Sequence, residues 1–215
     1  MKMIIKYSRH GAVKYISHLD MQRAFGRAIR RAGIDAEYSH GFNPHIVMSF
    51  ASPLSVGYET EGDYLELSLA SDAEPQAVMN ALAEVMPPEL RVLGVHAATD
   101  GKKLMAQNES AAYHIKFHFK NDENCVRMND TVQKIMAAES YTATDRRGRS
   151  IDIRPLIFEA ECNKDVLALL LRNASDGALN PAVVATAIDA DAEYDVCRQD
   201  CYAIVNGQRI PFSKI

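Results

Sequence analysis

The chain has 215 residues, 47% of them hydrophobic and 24% charged; these are the proportions of an ordinary globular protein, and they exclude a disordered or low-complexity one. This length suits one large domain or two of about 100 residues, either able to bury a sufficient core. No apolar run approaches the roughly 20 residues that cross a bilayer, and the start, Met1-Lys2-Met3-Ile4-Ile5, lacks the apolar core of a signal peptide, so no membrane association and a cytoplasmic location are expected.

Net charge is −4. It is unevenly spread: residues 1–50 hold eight Lys/Arg against three acids, a net +5, and the remainder carries −9. Such asymmetry points to an anionic partner at the basic end. Cys125, Cys162, Cys197 and Cys201 form no framework, and one C-x3-C pair lacks the further ligands a tetrahedral metal needs. Reduced thiols, no metal and no cofactor are the expectation.

In chain order, residues 3–7 and 12–16 read as short strands joined at Gly11. Ser17-His18-Leu19-Asp20 has the S-x-x-[DE] pattern of a helix start, and Met21, Ala24, Phe25, Ala28, Ile29 and Ala32 follow at the spacing of one buried helical face, with Gly33 as the stop. A Gly/Asn/Pro/His segment from Tyr38 to His45 leads to an apolar stretch, Ile46 to Phe50. Residues 63–69 alternate as a half-wet strand, 74–85 form an amphipathic helix ended by Pro87-Pro88, and 90–96 form a strand. This β-α-β-β-α-β order predicts a ferredoxin-like split βαβ unit over residues 1–100.

The order begins again after the polar stretch Asp100 to Ser110. A strand at 113–119, a helix at 123–138 and strands near 140–145, 151–154 and 156–162 are expected. Residues 164–173 suit a buried strand or a helix. Asn180-Pro181 opens a helix through Ile188, with Pro at its favoured first position, and a strand at 201–205 closes a second, degraded unit over 111–215. The predicted fold class is therefore α+β, two tandem ferredoxin-like units with antiparallel sheets.

Three groups stand out as functional. Arg23, Arg27, Arg30 and Arg31 fall within about 100° of one another on the first helix, opposite its apolar stripe. Only Asp20 is near, so this is not a salt-bridge-laced face; it is a solvated surface or one that meets an anion, for which the planar guanidinium is well shaped. His10, His18, His40 and His45 lie in the first 45 residues but match no ligand signature. Gly41-Phe42-Asn43-Pro44-His45 is a stiff loop, since Gly41 admits positive φ and Pro44 pushes Asn43 toward extended geometry. Its aromatic either packs the loop to the core or presents itself to a ligand, with Ser39, His40 and Asn43 beside it. In the second half, Arg146, Arg147, Arg149 and Arg154 gather around Gly148, at a hairpin tip or a second contact surface.

Tyr15-Ile16-Ser17-His18-Leu19-Asp20, the arginines that follow it, Tyr38 to His45, Ser49-Phe50 and Pro53-Leu54-Ser55-Val56-Gly57 together resemble the bacterial radical S-adenosylmethionine-linked domain family, and Ser150-Ile151-Asp152-Ile153-Arg154 resembles its second-half motif. The resemblance implies an accessory or substrate-binding role beside a radical S-adenosylmethionine enzyme, acting on RNA or another anionic ligand, with the iron–sulfur chemistry in the partner. The ligand-binding residues expected on this reading are His18, Asp20, Arg23, Arg27, Arg30, Arg31, Ser39, His40, Gly41, Phe42, Asn43, His45, Arg146, Arg147 and Arg154. Two alternatives stay open: a metal-independent RNA-processing enzyme using histidine acid–base chemistry, and a purely structural protein partner.

Overall fold

The computed structural model describes residues 1–99 and 102–215, so the start of the polar stretch expected to part the halves lies outside the described residues. The chain is α+β, as its pattern predicts, and forms two compact units: Met1–Asn108 with Asp200–Ile215, and Glu109–Gln199. Among the described residues no helix is long and apolar enough to cross a membrane.

The first unit contains β1 (Lys2–Arg9), α1 (His18–Arg31), β2 (Met48–Phe50), β3 (Glu59–Ser68), α2 (Pro75–Val85), β4 (Leu90–Ala97) and the short α3 (Leu104–Gln107). β1 pairs antiparallel with β3 on one side, from Lys2↔Ser68 to Arg9↔Thr60, and with β4 on the other. β2 joins β3 antiparallel, Met48↔Leu67 to Phe50↔Leu65, so the order is β4-β1-β3-β2. One core joins the strands to both helices through Ile5, Tyr7, Phe25, Ile29, Leu65 and Leu82, all buried. Phe25 lies edge-on to Tyr7 and Phe50, at centroid distances of 4.9 and 5.7 Å. Burial of one such ring contributes about 1.5–3 kcal/mol.

The second unit holds β5 (Ser110–Phe117), α4 (Asp122–Ala137), the hairpin β6 (Thr142–Thr144) and β7 (Ser150–Asp152), β8 (Ile157–Asn163), β9 (Val166–Ala174), β10 (Gly177–Ala178) and α5 (Pro181–Ile188). β11 (Tyr194–Val205) contributes residues 194–199 to this unit and 200–205 to the first, where β12 (Gln208–Pro211) pairs with it. The sheet order here is β11-β5-β9, with β8 and β10 also on β9. The ambiguous apolar run at 166–171 is therefore a central strand with antiparallel partners on both edges. Asn180 caps α5 as expected, accepting from the Ala182 N–H at 2.9 Å.

Two expectations fail. Residues 12–16 are no strand: both edges of β1 are already filled by β3 and β4, Gly11 takes φ +55°, and Gly11–Tyr15 coil into a 3-10 turn. The division at 1–100 and 111–215 also misplaces the C-terminus, because Asp200–Ile215 belong to the first unit. There Phe212 is fully buried against Tyr64, at 5.4 Å between centroids, and His96 Nε2 lies 3.0 Å from the Ile215 carbonyl.

Burial holds the His96 pKa below its ordinary 6.5, outweighing its bonds to main-chain carbonyls. Since the folded pKa is the lower one, the unfolded chain binds more protons near pH 6. His96 thus contributes stability that is fully present above about pH 6.5 and lost as pH falls through the folded value. Unfolding midpoints followed from pH 7.5 to 5.5 should fall less steeply in His96→Gln than in the wild type.

Candidate functional site

The site is built on α1. Ser17 caps it: its Oγ accepts from the Asp20 N–H at 3.1 Å and donates to Asp20 Oδ2 at 2.8 Å. Asp20 also accepts from Arg23 at 3.0 Å, and these bonds, the Ser17 hydroxyl foremost, hold its carboxyl below the usual range. Met21, Phe25, Ala28 and Ile29 point into the core. That leaves Arg23, Arg27 and Arg30 exposed on the opposite side.

A second wall comes from the segment between α1 and β2. Its base is a short ladder: Tyr38 bridges Ile46, the Ser39 N–H donates to the His45 carbonyl at 2.8 Å, and Val47 donates to Glu37 at 2.8 Å. Ser39 Oγ accepts from the His45 N–H at 3.1 Å and lies 2.8 Å from His45 Nδ1, so both the backbone and the ring of His45 are held. Above this base, His40, Gly41, Phe42, Asn43 and Pro44 form an exposed tip, with Gly41 at φ +123°. Phe42 does not staple the loop to the core: its side chain is 106% exposed.

Helix and loop enclose a groove of about 580 Å³, lined by Arg23, Arg27 and Arg30 with Gln22 and Gly26 from α1, by Pro44, His45 and Ile46 from the loop, and by Leu19 and Met48. Among the described residues neither Arg27 nor Arg30 has a hydrogen-bond or ion-pair partner. Two unpaired guanidiniums beside an apolar floor suit a ligand that is anionic in one part and apolar in another.

The other expected residues lie elsewhere. Arg31 turns away and donates to the Val85 carbonyl at the end of α2, at 2.7 Å, beside a second hollow whose lining shares Arg27 with the groove. Asp20 serves the helix cap, and His18 packs edge-on to Phe50 at 5.1 Å. The histidines do not gather, for His10 lies between Glu59 and Glu61 at 3.4 and 3.1 Å. No group of three His, Cys, Asp or Glu among the described residues is arranged to hold a metal. In the second unit Arg146 and Arg147 stand exposed at the β6–β7 hairpin tip, which is closed by Asp145 accepting from the N–H groups of Arg147 and Arg149. Arg154 is built into that unit, donating to the carbonyls of Met136 and Ile157 at 3.2 and 3.0 Å.

Residue-by-residue reading missed Leu19, Gln22, Gly26, Pro44, Ile46 and Met48 as lining groups. Gly26 carried a signal: glycine inside a helix costs about 0.5–1 kcal/mol relative to alanine. A methyl there would meet Met48 Cε at 3.8 Å and Arg30 Nη1 at 3.9 Å, ordinary contact distances. Gly26→Ala should therefore raise the unfolding free energy by about 0.5–1 kcal/mol, seen as a higher thermal midpoint.

The family described as "Uncharacterized protein conserved in bacteria (DUF2344)" matches residues 2–181. No curated protein matches the chain. A solved structure described as an unknown protein from Galdieria sulphuraria aligns over 92% of this chain and 97% of its own length, at 11% identity and a TM-score of 0.28, too slight a likeness to bear on fold or function.

Proposed function

Because the chain belongs to this bacterial family of uncharacterised proteins, membership brings no activity with it, and we propose from the groove that the protein binds RNA as an accessory to a radical S-adenosylmethionine enzyme. The observation that carries the RNA reading is the convergence of Arg23, Arg27 and Arg30 with the Pro44–His45 wall on one groove, two of the arginines being unpaired among the described residues. The radical-enzyme partner rests on the family resemblance that the motifs at Tyr15–Asp20 and Tyr38–His45 carry. The strand orders β4-β1-β3-β2 and β11-β5-β9-β8 support reading the two units as ferredoxin-like, a frame that would leave α1 free to present its arginines.

Binding is favoured over catalysis by what lines the groove. His45 is its one acid–base group and no carboxylate joins it, whereas ribose-phosphate cleavage draws on a positioned acid and a base. The testing experiment is RNA binding by the purified chain over a salt series. Affinity should fall steeply with salt, since each neutralised phosphate releases counterions; absent binding, or binding indifferent to salt, would refute the proposal.

A further inference from the structure

The groove is not uniformly cationic. Arg27 and Arg30 line it together with Leu19, Ile46 and Met48, and Gly26 lines it without a side chain. Leu19 is 61% exposed, a large apolar surface to leave wet beside guanidiniums. Phe42 stands exposed two residues from Pro44, so its Cα lies within about 7 Å of that of Pro44 in the groove wall. A duplex presents phosphates and sugars while its bases stack on one another, and would leave both the apolar floor and the aromatic unused. A single strand presents phosphates and bare base faces together, and single-stranded RNA is recognised by stacking such faces on aromatic side chains and guanidinium planes.

Resting on the RNA-binding reading above, we infer that the groove is a subsite for one unpaired nucleotide of a single-stranded RNA, its base seated over Met48 in the space Gly26 leaves, its phosphates on Arg27 and Arg30, and the neighbouring base stacked on Phe42. The cavity of about 580 Å³ lies inside the usual range for a small-ligand pocket, about 300–1,000 Å³. Gly26 gains a purpose on this account: alanine is compatible with the contacts around it, and what a side chain would remove is the space in the groove.

The test is fluorescence anisotropy on the full chain with three probes of equal phosphate count: a uridine octamer, the same octamer with internal abasic sites, and a short RNA duplex. The uridine octamer should bind at least about tenfold tighter than the other two. Phe42→Ala and Gly26→Leu should each lose roughly tenfold on the octamer, which narrows its advantage over the abasic probe. Gly26→Ala, which the fold accommodates, should lose less but in the same direction. Equal affinity for all three probes, or an octamer affinity untouched by Phe42→Ala, overturns the nucleotide subsite and leaves the anion-binding reading standing. Failure to bind any probe overturns both.

Discussion

Replacing Arg27 and Arg30 together by alanine should weaken RNA binding roughly 100-fold near 0.1 M salt, because two charge-assisted contacts of about 1.5–3 kcal/mol each are removed, less what neighbouring cations recover. The salt dependence should change with it: each phosphate contact on a single strand contributes about 0.7 to the slope of log K against log salt, so the double variant should lose about 1.4. Stability should hold, since both side chains are exposed and alanine is the better helix former. Arg31→Ala is the informative control. It removes the same charge from the same helix, yet its guanidinium is engaged at the Val85 carbonyl, and it should cost under threefold in affinity with a slope lowered by less than 0.4. If Arg31→Ala equalled the double variant, the groove would have no special standing and general electrostatics would explain the binding.

That contrast marks the limit of what the chain shows by itself. Helix α1 is legible because its determinants are local: the Ser17 cap, the apolar spacing from Met21 to Ile29 and the stop at Gly33 all act within a turn or two. The stiffness of the Gly41–His45 loop is legible for the same reason. Arg27, Arg31 and Arg154 cannot be told apart in sequence, because what separates them is the main-chain carbonyls of Val85 and Met136, 54 and 18 residues away, which engage two of them and not the third. The groove is invisible too, since it needs the Tyr38–Ile46 bridge to swing Pro44 and His45 opposite Arg27. Even the strand expected at 12–16 fails for a non-local reason, the prior occupation of both edges of β1.

A contact between residues 194 apart in sequence makes the second large prediction. Asp200, on β11, accepts from Lys6 Nζ at 2.8 Å and from the Tyr64 hydroxyl at 2.6 Å, linking the end of the chain to β1 and β3. Burial, and then the bond to Asp200, push the Tyr64 phenol far above its ordinary range, so it stays a donor at any pH the protein meets. Asp200→Ala removes the acceptor from Lys6, from Tyr64 and from the Cys201 N–H at once. Lys6 keeps 21% side-chain exposure and regains some water, but Tyr64 is 1% exposed and does not. The expected loss is about 1–3 kcal/mol, since Tyr64 keeps its bond with Ser213 and the Lys6 pair is only partly buried. Asp200→Asn should lose less, because its amide oxygen still accepts from Tyr64. The chain has no tryptophan, so the measurement is urea unfolding by far-UV circular dichroism, with the Tyr64 ring signals followed by NMR. Two compact units can unfold in two transitions, and the loss should fall on the one that carries Tyr64. An unchanged transition there would mean that Asp200–Ile215 do not stabilise the first unit, and that the motif-bearing residues 1–108 hold together without the chain's end.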